Sequence, residues 1–182
     1  KFQIQKGEKN YYLAIGRLTP YKKFNIIVEA FNALERPLVI VGTGVEASRL
    51  RKKAKKNITF LGHLPEEELA DIYAGAKALI FPQIEDFGIT PLESMACGRP
   101  VIAYKEGGAL ETVKDGITGL FFTEQNAPNL VQAVHNFERH YKEFSPETIR
   151  NHALKFSTNI FKSKFLSYVE DMWRQYKKKQ ES

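Results

Sequence analysis

What most constrains this chain is an alternation of short apolar runs with helix-period segments, punctuated by glycine and proline. Residues 11–16 (YYLAIG) predict a buried strand, after which Phe24, Ile27, Val28, Phe31 and Leu34 recur at helical spacing. Residues 37–41 predict a second strand, and the turn Gly42-Thr43-Gly44 leads into a helix to about Lys55. A third strand follows at 58–61, then a helix opened by Pro65 and Glu66 that runs through Ala74. Strands at 78–81 and 101–103 flank a helix over 91–97. Gly107-Gly108, a short helical stretch to Val113 and a turn at Asp115-Gly116 precede a sixth strand at 119–122. From Ala127 onward the pattern is helical, in three pieces broken near Ser145-Pro146 and Ser157. The expected fold is therefore α/β: a Rossmann-like, doubly wound parallel sheet covered on both faces, with C-terminal helices added.

Composition narrows the class. A chain of 182 residues with 43% hydrophobic and 26% charged content supports one core, one domain over 1–182, and no need for a disulfide or structural metal. The one cysteine, Cys97, is expected in the core, and four scattered histidines do not make zinc spacings. No apolar run approaches the roughly 20 residues that span a bilayer. The net charge of +6 has a local source: the octet 49–56 holds six basic residues and no acid, leaving 21 basic residues (27 less 6) against 21 acidic ones. One basic helix face, expected to be a solvated surface, thus holds the surplus. Nucleic acid is not the expected partner; an anionic membrane or acidic partner is the alternative use of that face. The chain opens at Lys1 with no signal segment, so it is expected to be a piece of something longer.

In a doubly wound sheet, ligands sit beyond the carboxyl ends of the strands, so four loops matter. Residues 16–23 (GRLTPYKK) bring Arg17, Lys22 and Lys23 beside a helix start, a setting suited to phosphate and equally readable as surface charge. Residues 42–47 formally match a dinucleotide fingerprint, but they follow the second strand rather than the first, which favours a structural turn. In 81–93, Glu85 lies just past a strand, and Gly88 permits close backbone approach. Thr90-Pro91-Leu92-Glu93 is expected to form a capping box with Pro at the first helical position. A carboxylate at that helix end would meet hydroxyls, not phosphate. Gly107-Gly108 reads either as close approach to a ligand or as a tight turn.

Taken together, these loops resemble the nucleotide-sugar-binding domain of GT-B glycosyltransferases, in particular the retaining glycosyltransferase group 1, family 4. The matching stretches are YYLAIGRLTPYKKFNIIVEAFN, FLGHLPEEELADIYAGAKALIFP and EDFGITPLESMACGRPVIAYKEGGALETVKDGITGLFF, spread over residues 11–122 in the family's order. FSTNIFKSKFLSYVEDMW is similar to the family's closing helix, expected over 157–176 and crossing back toward another domain. The Arg-Leu-Thr-Pro-Tyr-Lys-Lys form looks nearest to mannosyltransferases of lipopolysaccharide or O-antigen type.

The resemblance implies roles residue by residue. Arg17 and Lys22 would bind the donor diphosphate, with Gly16 allowing its close approach. Glu85 and Glu93 would be the two carboxylates of the E-x7-E motif, Glu85 on the transferred sugar and Glu93 on the ribose. The backbone of Phe87, Gly88, Ile89 and Thr90 would line sugar and phosphate, and the segment around His63 would flank the base. Arg17, Lys22 and Glu85 are thus expected at the chemistry. Lys23 and Asp86 stand where many members carry glycine. The implied donor is GDP-mannose, with a UDP-sugar second, and the two cations would neutralise the leaving diphosphate with no metal and no further cofactor. The acceptor, a saccharide or lipid-linked saccharide, would bind mainly to an N-terminal domain that this chain does not supply, so the chain alone is expected to be inactive. The expected location is cytoplasmic, with peripheral membrane contact possible through basic residues such as Lys177 to Lys179. The alternative reading is a non-catalytic nucleotide- or NAD-binding module built on Gly42 to Ala47.

Overall fold

The computed structural model describes residues 2–4 and 10–180, so both ends of the expected 1–182 domain lie outside the described residues. Six strands form one parallel sheet: β1 (Tyr12–Ile15), β2 (Leu38–Val41), β3 (Ile58–Gly62), β4 (Leu79–Phe81), β5 (Val101–Tyr104) and β6 (Gly119–Phe122). Their order is β3-β2-β1-β4-β5-β6. The chain winds outward from β1 to β3 and then jumps back to β4 on the other side of β1. The loops after β1 and β4 consequently leave in different directions, which opens a crevice between them.

The helices are α1 (Phe24–Leu34), α2 (Ala47–Lys53), α3 (Glu66–Gly75), α4 (Ile89–Ala96), α5 (Ala109–Thr112), α6 (Ala127–His140), α7 (Pro146–Ala153) and α8 (Thr158–Gln180). Helix α1 packs against α2 and α6, while α4 packs against α3, α5 and α7. Parallel strands carry apolar side chains on both faces because helices cover both. Leu13, Ile40, Leu79, Val101 and Ile102 are accordingly fully buried. On the α1/α6 side the Tyr12 ring meets Phe31 and Phe137 edge-on at 5.2 and 6.1 Å. Its hydroxyl donates to Glu138 at 3.2 Å, and Glu138 also accepts from Arg36 Nε and Nη2 at 2.9 and 3.2 Å. Burial alone would raise the Glu138 pKa, but Arg36, Tyr12 and Lys77 outweigh it and hold the carboxyl below its ordinary value.

One local expectation is corrected. The capping box is not formed: α4 starts at Ile89, with Gly88 (φ 83°) at its N-cap and no side-chain cap. Pro91 sits within the first turn, whose N–H groups have no intrahelical partner anyway, so the helix extends back over Thr90 and Ile89 without loss. Of the two readings of Gly107-Gly108, the structure shows the turn, and its bareness admits the neighbouring loop: a Cβ on Gly107 would lie 2.6 Å from Glu85 O, and one on Gly108 2.6 Å from Phe87 Cα.

Cys97 is buried as expected, and burial pushes its thiol up to about 11. The basic octet lies on α2 and the turn after it, its charged side chains exposed. Arg49 is paired with Glu46, Lys55 lies 3.4 Å from Glu35, and Arg51 lies 4.7 Å over the Phe60 ring. Helix α8 is longer than expected and exposed along its length, including Phe161, Phe165, Trp173 and Tyr176. Among the described residues no helix is long and apolar enough to cross a membrane.

Candidate functional site

The loop after β1 is fastened by backbone hydrogen bonds. Gly16 N–H donates to Val41 O (3.0 Å), Leu18 N–H to Thr43 O (2.8 Å) and Glu46 N–H back to Leu18 O (3.0 Å), while Gly42 N–H reaches Gly62 O (2.7 Å). A Cβ on Gly42 or Gly44 would drive into the backbone of Gly16 or Leu18. These glycines therefore admit the neighbouring loop, not a pyrophosphate. That is the physical reason the dinucleotide reading of 42–47 gives way to a structural turn. A Cβ on Gly16 would make only ordinary 3.6 Å contact with the Phe24 ring.

After Leu18, a 3-10 turn over Pro20–Lys22 ends in Lys23, which adopts left-handed backbone (φ 58°, ψ 29°) just before α1. A glycine preference at that position has its explanation in this geometry, since glycine takes the left-handed region at no steric cost. Arg17 is exposed at the mouth, whereas the Lys22 ammonium turns across the crevice and pairs with Glu85.

The loop after β4 is held by a main-chain bond and by side chains. Gly108 N–H donates to Glu85 O at 2.7 Å, and the Gln125 amide donates to Pro82 O at 2.8 Å. Phe87, 43% exposed, meets the Phe156 ring at 6.1 Å. Gly88 then turns the chain into α4, whose first residues, Ile89 and Thr90, line the same hollow as Glu85.

Two hollows lie at the strand ends. One, about 300 Å³, is lined by Gly16, Arg17, Thr43 and His63 with Leu64 and Leu69; the other, about 380 Å³, by Lys22, Glu85, Asp86 and the segment from Phe87 to Thr90. The structure thus gathers Gly16, Arg17 and His63 in one hollow and Lys22, Glu85, Phe87, Gly88, Ile89 and Thr90 in the other. A larger hollow of about 690 Å³ runs along β6 and α6, but it contains none of these residues and lacks converging loops.

Glu93 lines neither hollow. Its Oε2 accepts from the Tyr73 hydroxyl at 2.7 Å. Burial first, and then the Glu93 charge, push the Tyr73 pKa well above its ordinary value, so the hydroxyl keeps its proton and stays a donor. Sequence reasoning missed Tyr73, which sits in α3 as one more core aromatic, and it missed Gly108 and Phe156 as holders of the Glu85 loop. Among the described residues no group of three or more His, Cys, Asp or Glu is placed to hold a metal ion.

The crevice therefore offers positive charge on one wall, a carboxylate and the start of α4 on the other, and an apolar-lined recess beside His63. Such an arrangement can hold a polyanion whose two ends differ, one flat and partly apolar, the other rich in hydroxyls.

Known proteins share both the sequence pattern and the fold. A GDP-mannose-dependent alpha-(1-6)-phosphatidylinositol monomannoside mannosyltransferase of Mycolicibacterium smegmatis is 34% identical over 131 residues, covering 62% of this chain and 34% of the relative. An O-antigen chain mannosyltransferase C of Escherichia coli is 29% identical over 133 residues, covering 69% of this chain and 36% of the relative. The matched stretch thus spans about a third of each relative's length. Among solved structures, the Anabaena protein HepE, in complex with UDP and glucose, superposes with a TM-score of 0.79 at 20% identity over 90% of this chain and 49% of its own. That likeness establishes the GT-B type of fold. Residues 1–155 match the family of glycosyl transferases group 1, and the chain belongs to that family.

Proposed function

We propose that this chain is the donor-binding domain of a retaining hexosyltransferase that takes mannose from GDP-mannose, with a UDP-sugar as the second choice of donor. The observation that carries the reading is the Lys22–Glu85 pair across the β1/β4 crevice, with Arg17 of the same loop lining the hollow beside His63. Its chemical logic is electrostatic. As the bond from the anomeric carbon to the diphosphate breaks, negative charge grows on the leaving oxygen, and the two cations stabilise it most in the transition state. Each charge-assisted contact contributes about 1.5 to 3 kcal/mol.

Lys22 shares its ammonium between Glu85 and the incoming phosphate, leaving Glu85 free to accept hydroxyls of the sugar and orient it. The N–H groups at the start of α4 add positive potential at the sugar-phosphate junction. The base lies in the recess beside His63. Glu93, held by Tyr73, accepts the ribose hydroxyls. The acceptor, a saccharide or lipid-linked saccharide, is bound by a second domain that covers the apolar face of α8, and transfer requires that domain. We place the whole enzyme in the cytoplasm, at most touching an anionic membrane face through the lysines of α2 and α8. Donor binding proceeds without a divalent cation, because Arg17 and Lys22 do the neutralising.

The mannosyl assignment draws on the two mannosyltransferase relatives. A calorimetric screen of the chain against GDP, UDP, ADP, NAD and a short DNA duplex, with and without EDTA, tests the proposal. The expected result is a nucleoside diphosphate response, strongest for GDP and indifferent to EDTA. Preferred binding of NAD, or salt-sensitive binding of DNA alone, overturns it.

A further inference from the structure

The loop that presents Glu85 and Phe87 is gripped from two sides by one closed circuit of contacts. On the backbone side Gly108 N–H donates to Glu85 O at 2.7 Å, and the Thr112 hydroxyl donates to Gly108 O at 3.0 Å. On the side-chain side the Phe156 ring packs against Phe87 at 6.1 Å and 60°. Both grips end on one residue. His152, 8% exposed, packs its ring on Phe156 at 5.5 Å and places Nε2 2.9 Å from Thr112 O. A carbonyl oxygen only accepts, so Nε2 carries the proton and donates.

The circuit closes around the sugar end of the crevice and leaves the base end alone. No contact in it involves the loop after β1, which has its own backbone bonds to β2 and to the turn after it and meets the Glu85 loop through Lys22. It also ends where α8 begins, since Phe156 closes the short turn from which α8 departs.

We propose that Phe156, backed by His152, is a positioning residue that sets the sugar-binding wall of the crevice and thereby acts on sugar binding more than on nucleotide binding. The proposal rests on the donor-binding reading given above. An aromatic pair of this kind is a directional contact as well as an apolar one, so it fixes where Phe87 stands and hence the path of the 85–88 backbone. Removing the ring leaves that backbone with Gly108 as its remaining hold from this circuit.

Two measurements on the whole chain test this, using Phe156→Ala, the milder Phe156→Leu, and His152→Gln. In amide hydrogen exchange without ligand, Phe156→Ala should speed exchange at 84–90 at least tenfold and leave 16–18 and 42–46 within twofold of the parent. Phe156→Leu should fall between. A uniform rise across both loops, as a merely structural role would give, or no rise at 84–90, overturns the proposal. In calorimetry with GDP and GDP-mannose, the variants should lose less affinity for GDP than for GDP-mannose. They should lower the ratio of GDP-mannose to GDP affinity severalfold, with His152→Gln in the same direction. An unchanged ratio overturns the positioning role. If the parent chain binds neither compound, the donor-binding reading fails, and the exchange result still decides whether Phe156 holds the loop.

Discussion

The loop after β1 and the loop after β4 face each other across one crevice, yet they are fastened by different means. The first is tied by main-chain hydrogen bonds to β2 and to the Gly42-Thr43-Gly44 turn, with bare glycines allowing the backbones to touch. The second keeps one main-chain tie beside the bare Gly107 and Gly108, Gly108 N–H to Glu85 O, and leans otherwise on side chains: Lys22 against Glu85, Phe156 against Phe87, and the Gln125 amide on Pro82. Main-chain ties open only when a strand end opens, whereas side-chain holds give way one rotamer at a time. The difference suits the proposed ligand. Its nucleotide end stays constant through the reaction, so a preformed wall serves it; its sugar end changes bonding, so an adjustable wall serves that.

Substitutions can break this contrast, beginning with the largest expected effect. Gly42→Ala forces a methyl into the Gly16 backbone at a position with φ of 136°, and neither side can retreat without breaking strand-end bonds. We expect a loss of about 3 kcal/mol or more in urea unfolding, the range reached when special backbone positions are violated. A loss under about 1 kcal/mol would show that the first wall yields as easily as the second. Gly108→Ala is the matching test. Its φ is ordinary, and the added Cβ would lie 2.4 Å from Asp86 O and 2.6 Å from Phe87 Cα, so the 85–87 backbone must shift. The expected cost is about 1 to 2 kcal/mol, with exchange quickened at 84–90 and unchanged at 16–18.

Away from both walls, Glu138→Gln provides a reference with a pH signature. Because the folded carboxyl titrates below its ordinary range, its pairing with Arg36 stabilises the protein above the unfolded glutamate pKa. That contribution is lost as pH falls through the lowered folded value. The parent should therefore exceed the variant by about 1 kcal/mol at neutral pH, a modest figure because Arg36 is half exposed. The gap should close in acid; a gap that widens there would contradict the assignment. Smallest of all, Lys23→Gly should raise the unfolding free energy by about 0.5 kcal/mol. Left-handed backbone costs an L-residue about 1 to 2 kcal/mol, and glycine's greater chain entropy takes back part of the gain. A loss of stability there would mean the Lys23 side chain contributes more than its backbone costs.

Much of this organisation was legible in the sequence because it is written in local signals. Glycine and proline mark every strand-to-helix passage, and the apolar runs have the length and composition of parallel strands, so the α/β order and the loops that matter follow directly. What local signals do not carry is the partner of a polar group. Thr90-Pro91-Leu92-Glu93 has the spacing of a capping box, but a buried Tyr73 from another helix takes the Glu93 carboxylate, and α4 begins two residues before Pro91. The glycines at 107 and 108 are read correctly as close-approach positions, yet the thing approaching is the Glu85 loop itself. Phe156 could not be singled out either, since an aromatic near a helix break looks the same whether it meets solvent, core or Phe87.

The account stands on charge in the crevice, and the most direct test is calorimetric titration of GDP into the parent chain, Arg17→Ala and Lys22→Ala, each checked for an unchanged unfolding transition. Losing one charge-assisted contact should weaken binding at least about tenfold in each variant, with Lys22→Ala also freeing Glu85 from its partner. GDP binding that is indifferent to both substitutions, or no nucleoside diphosphate binding by the parent chain, would contradict the account.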